Sequence, residues 1–155
     1  MKFFNKPFGN YLQMTKIGIA LLFLIAVTRF LLDPVFHIAY DQGTNLASLT
    51  ILMPIIMLYY AVKIANSEGT YRDVLGVSAA LALSSTAFII IAIAIDDFAG
   101  IQTYYTDPKH VDYSGTWRHI TGHVFGTGVV TTLVLWGVGS LIYNFARGSG
   151  KKVVA

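Results

Sequence analysis

Cysteine is absent from the chain, which excludes disulfide scaffolds, thiolate metal sites, CxxC redox chemistry and cysteine nucleophiles together. Charge is scarce as well: Asp, Glu, Lys and Arg make up 12% of the residues, against about 25% in an average soluble protein. Several patterns that carry common chemistry are missing too, among them a phosphate-binding glycine loop, an EF-hand loop and a serine nucleophile elbow. Gly126-Thr127-Gly128 lacks the strand context of a dinucleotide-binding turn and reads as helix packing. The net charge is +3, yet the basic residues build neither a basic helix nor a patch interleaved with aromatics. Nucleic acid is therefore not the expected partner, and anionic lipid accounts for the basic residues better.

What the chain has in abundance is apolar surface. Hydrophobic residues are 55% of the 155. Four runs of about twenty residues carry almost no charge, each long enough to cross a hydrocarbon core of about 30 Å. The expected fold is all-α: a single-domain integral membrane four-helix bundle with helices near 14–32, 46–65, 74–95 and 117–145. Two transmembrane hairpins then leave outer loops at 33–45 and 96–116. The N-terminal stretch combines Lys2, Lys6 and Lys16 with Phe3, Phe4, Phe8 and Tyr11, like the n-region of a signal peptide. The apolar run continues past any A-x-A-like cleavage site, which favours an uncleaved first helix. Thr44 or Asn45 is the expected N-cap of the second helix, and Pro54 is expected to kink it near residues 49–53.

Orientation follows from the basic residues. Lys2, Lys6, Lys16, Lys63, Arg72, Arg147, Lys151 and Lys152 fall on one side of the expected bundle, and Arg29, Lys109 and Arg118 on the other. The side rich in Lys and Arg is cytoplasmic by the positive-inside rule. The expectation is a multi-pass protein of a bacterial-type cytoplasmic membrane with both termini inside. Asp33, Asp41, Asp96, Asp97, Asp107 and Asp112 then collect at the outer face. Small residues recur at four-residue spacing in Gly76, Ala80 and Ser84, in Ser78, Ala82 and Thr86, and in Gly122 and Gly126. Such rows let helices approach closely in lipid, so all three are expected to be packing faces.

Chemistry, if there is any, concentrates between Asp96 and His123. His119 and His123 are four residues apart on the expected fourth helix, so both imidazoles project from one face. With Asp96 or Asp97 they would form a metal site for zinc, manganese or iron, and His37 in the same leaflet would pair with one of them across a b-type haem. The HxxxH spacing lacks the glutamate that makes HExxH a hydrolase signature. The bland alternative is that these histidines hydrogen-bond neighbouring carbonyls, waters or aspartates, with no cofactor. Arg29 lies inside the apolar zone, where an unpaired charge costs several kcal/mol. Asp33, one turn on, and Asp97, at the end of the third helix, are its expected ion-pair partners. Tyr104, Tyr105, Tyr113 and Trp117 in the second outer loop fit either an interfacial aromatic belt or a surface for a partner.

Three functions remain. The leading one is a non-catalytic accessory, scaffolding or assembly subunit of a larger membrane complex, whose partner is another membrane protein or a second copy of the chain. The second is a metal- or haem-binding redox or hydrolytic protein, and the third is a small transporter built around Arg29, Asp33 and Pro54.

Overall fold

A computed structural model of the chain describes residues 4–38, 48–101, 103, 105 and 115–150. Asp41, Thr44, Asn45, Tyr104, Asp107, Lys109, Asp112 and Tyr113 lie outside the described residues. Six α-helices and one π-helical segment occur among the described residues, with no strand. They are α1 (Phe8–Met14), α2 (Lys16–Leu31), α3 (Leu49–Ala65), α4 (Tyr71–Ala99), α5 (Thr116–His123), the π-helical segment Val124–Val130 and α6 (Thr131–Gly150).

Two helices are long and apolar enough to cross a membrane: α4, with 29 residues, and the 33-residue run Thr116–Gly148 that joins α5 to α6 through the π-helical segment. At about 1.5 Å per residue α4 alone reaches about 43 Å. A third candidate is α1 with α2, which together meet the length but bend by 72° at their junction. α3 is apolar and shorter, at 17 residues. The chain is thus an all-helical protein with two to three candidate membrane spans, and its apolar outer surface is suited to lipid contact.

Thr15 stands at the bend between α1 and α2, and its Oγ1 donates to the carbonyl of Tyr11 at 2.7 Å. Ser78 and Thr86 make the same bond inside α4, which continues unbroken, so the bond accompanies the bend and does not by itself produce it. The segment before the bend, which follows Pro7, packs against α4. Beyond the bend, Gly18 brings α2 close to α3 and α4. A β-carbon there would fall 2.8 Å from an Ile56 methyl and 3.2 Å from a Leu81 methyl.

Capping sets the ends of α3 and α4. Ser48 Oγ accepts the Ile51 N–H at 3.3 Å and starts α3. Pro54 sits within that helix, which continues to Ala65. α4 starts three residues before its apolar run because Thr70 and Asp73 form a capping box, the Thr70 N–H donating to Asp73 Oδ2 at 2.9 Å. It runs four residues past the apolar stretch, through Asp96 and Asp97, and stops at Gly100, whose φ of +63° is a left-handed conformation that glycine adopts without strain.

The core lies where α4 meets α2, α3 and α6, around Leu22, Met57, Ile64, Val77, Leu81 and Leu135, each buried. Gly76, Ala80, Ser78, Ala82 and Thr86 are all buried and Ser84 is half-buried, so two of the three expected small-residue faces do pack inside the chain. The third does not. Gly122 and Gly126 are exposed, and a β-carbon on either would meet nothing within 4 Å. Gly139 instead makes the close approach of α6, against Met57 and Val74.

Candidate functional site

Asp96 and Asp97 sit side by side in the last turns of α4, about 100° apart around the helix, so only one can face inward. It is Asp96, which is 2% exposed, whereas Asp97 is exposed. Asp96 Oδ2 accepts the Thr103 hydroxyl at 2.6 Å and the Thr103 N–H at 3.2 Å. Thr103 Oγ1 in turn accepts the Tyr105 N–H at 3.2 Å. This relay folds the start of the loop back onto the helix end and drives the Tyr105 ring into the core, where it is 2% exposed. The Tyr105 hydroxyl donates to the Ala26 carbonyl on α2 at 3.5 Å, and the Arg29 guanidinium lies 5.8 Å from the Tyr105 ring centroid. A cation over an aromatic face is stabilised by about 0.5–2 kcal/mol, more where water is excluded.

The expected site residues therefore separate into groups. Arg29 faces Tyr105, while Asp33 is half-buried and Asp97 is exposed. Tyr105 serves the interior, and Trp117, at 81% exposure, is the described aromatic of that set on the surface. His37 is exposed, with a φ of +53°, in the turns that follow α2.

His119 and His123 do come together. Their Nε2 atoms are 3.0 Å apart, and the rings are inclined at 46°. On its other side His123 Nδ1 lies 3.1 Å from Thr127 Oγ1, in the first turn of the π-helical segment. Both imidazoles are half-exposed. Neither His37 nor Asp96 nor Asp97 joins them: among the described residues no third His, Asp or Glu side chain completes a set of three with this pair.

The opposite end of the bundle holds a second polar cluster. Asp73, 4% exposed, accepts from Tyr11 Oη at 2.9 Å, from Asn5 Nδ2 at 2.9 Å and from the Thr70 N–H. Asn5 Nδ2 also donates to Thr70 Oγ1 at 2.6 Å. Tyr11 is wholly buried against Gly76, where a β-carbon would fall 2.5 Å from the ring. α6 closes over the same corner, with Tyr143 Oη donating to the Gly69 carbonyl at 3.0 Å and Trp136 Nε1 to the Tyr71 carbonyl at 3.2 Å. The Thr70-Tyr71-Arg72-Asp73 spacing is a legible capping-box signature, and it is the one local signal for this cluster. The partners from residues 5 and 11 are more than sixty positions away along the chain.

Two apolar grooves run along α2, one of about 310 Å³ facing α4 between Phe23 and Ile95, the other of about 530 Å³ facing α3 between Ile17 and Tyr59. Apolar side chains alone line the first, whereas Gln13, Lys16, Tyr59, Tyr60 and Lys63 border the second; substrate pockets carry convergent polar groups that fix orientation, and the first groove has none. Acyl chains fit such surfaces. Compared with known proteins, the chain matches no family model, no curated protein and no solved structure.

Proposed function

We propose that this chain is a non-catalytic accessory or scaffolding subunit of a membrane-protein assembly, and that it meets its partner through the Gly122 and Gly126 face of its last helix. One observation carries the reading. Over its most apolar 18 residues α4 is 56% buried within the chain, whereas the run from Thr116 to Gly148 is only 17% buried. That exposed run carries four glycines, Gly122, Gly126, Gly137 and Gly148, beside which a side chain would meet nothing within 4 Å among the described residues. Glycine costs about 1 kcal/mol relative to alanine in a helix interior, and in lipid it is favoured where another backbone must come close. Gly18, Gly76 and Gly139 have such a neighbour within the chain; the open glycines call for one from outside. In this reading the chain crosses a bacterial-type membrane four times with both termini on the cytoplasmic side.

The test is a photoreactive residue at Phe125, which is 63% exposed beside Gly126, followed by gentle solubilisation and native mass spectrometry. A defined crosslinked species, to another membrane protein or to a second copy, is expected, and Gly126→Ile should abolish it. A lone monomer with no adduct at Phe125 overturns the proposal.

A further inference from the structure

The His119 and His123 pair goes beyond a packing role. We propose that these two residues form a binding site for a borderline divalent transition-metal ion of the zinc class, with Thr127 holding His123 in its ligand form. Two independent features support it. The first is convergence. The two Nε2 atoms meet at 3.0 Å. Two imidazole nitrogens on a tetrahedral zinc, each at 2.0–2.1 Å, stand about 3.3 Å from one another. Admitting the ion between them therefore takes an opening of about 0.3 Å, within reach of small side-chain rotations and no backbone shift.

The second is the partner on the far side of the ring. When His123 Nδ1–H donates to Thr127 Oγ1, at 3.1 Å, the lone pair is left on Nε2, where the metal would sit. Metal-ligating histidines characteristically donate their other N–H in this way, which fixes both tautomer and ring plane. Without an ion, the close Nε2 contact requires His119 to carry a proton on Nε2 and donate it to His123. Metal binding expels that proton, so His119 also becomes a neutral ligand. Gly122, between the two histidines, has no side chain and meets nothing within 4 Å, so the ion and its remaining ligands can approach from outside the helix. Imidazole ligands suit zinc, copper, nickel and iron rather than magnesium or calcium.

The experiment uses the full chain without a polyhistidine tag, purified in detergent, stripped with chelator and titrated with Zn(II) by calorimetry. One saturable ion per site is expected, with proton release. His119→Ala and His123→Ala should each weaken binding by about 100-fold or more and Thr127→Val by about 10-fold, since outer-shell losses run from about 10- to 100-fold. Thr127→Ser, which keeps the hydroxyl, should restore the affinity. Far-UV circular dichroism of each variant should match the parent, because none of the three side chains belongs to the hydrophobic core. No saturable Zn(II) binding by the parent, or binding that either histidine variant leaves within twofold, overturns the site. Binding unchanged in Thr127→Val overturns the role given to Thr127.

Discussion

Replacing Tyr11 with phenylalanine should release α1 from the bundle while leaving the rest of the fold in place. The substitution keeps the ring against Gly76 and removes one group, the hydroxyl that donates to Asp73 at 2.9 Å. Tyr11 is wholly buried and Asp73 is 4% exposed, so water cannot replace the lost donor. A hydrogen bond to a charged group contributes about 1.5–3 kcal/mol net. Asp73 keeps Asn5 and the Thr70 N–H as donors, which places the cost near the middle of that range, about 2 kcal/mol. Local opening of α1 should then be favoured about 30-fold over the parent, at 1.36 kcal/mol per factor of ten. Hydrogen exchange followed by mass spectrometry reads this directly: peptides covering 8–14 should exchange about 30-fold faster, while those covering 74–95 stay at the parental rate. A double-mutant cycle with Asp73→Asn should show coupling of about 1–2 kcal/mol, as expected for two groups in contact. Exchange in 8–14 within twofold of the parent, or acceleration spread evenly over every helix, would refute the idea that this one hydroxyl latches α1 to α4.

Further outcomes follow from the contrast between open and filled glycines. Gly76→Ala should destabilise the chain by about 1–3 kcal/mol, because the new methyl meets a rigid ring at 2.5 Å, and unfolding by denaturant in mixed micelles would measure it. Gly126→Ala in the same assay should be neutral or stabilising by up to about 1 kcal/mol through helix propensity, even as it weakens association with a partner. Asp96→Ala removes the acceptor of two Thr103 donors, the N–H and the hydroxyl, and should cost about 1–3 kcal/mol, with proteolytic cleavage after residue 100 becoming faster. Tyr105→Phe should cost less than about 1 kcal/mol, since its hydroxyl bond is long at 3.5 Å, whereas Tyr105→Ala, which empties a buried ring site, should cost about 3–5 kcal/mol.

The all-helical class and the candidate spans are legible in the sequence because long uncharged runs can satisfy their backbone groups in only one way within lipid. The bend at Thr15 is not legible, since neither proline nor glycine stands there and threonines that make the same bond to the preceding turn, such as Thr86, lie within an unbroken helix. The start of α4 is readable in hindsight: Thr70 and Asp73 have capping-box spacing, but the polar run around them reads equally well as a turn. Choosing Asp96 over Asp97 depends on the rotational register of α4, which no local pattern conveys when the helix is apolar on every side. Tyr105 looks like any interfacial aromatic until the relay through Thr103 is known. The pairing of His119 with His123 and the contact of His123 with Thr127 both follow from four-residue spacing, whereas no local pattern shows that residues 124–130 are π-helical. The glycines show the limit most plainly. Gly139 and Gly126 sit on the same long helix, and what distinguishes them is a neighbour supplied by the fold.

The π-helical segment carries a consequence for the phase of the last helix. Seven residues with wider turns separate α5 from α6, so the angle at which His119, Gly122 and His123 stand relative to Leu135 and Tyr143 is set by the residue count between them. Each residue of an α-helix advances that angle by about 100°. Drawing the same seven residues into α-helical bonding without removing any would swing the histidines and Gly122 by roughly a quarter turn about the helix axis, because each would then turn further, whereas deleting one residue at the same time would bring them back near their present angle. The segment thus works as an indexing joint: a change of bonding or of length, made alone, re-aims one end of the helix without unseating the other.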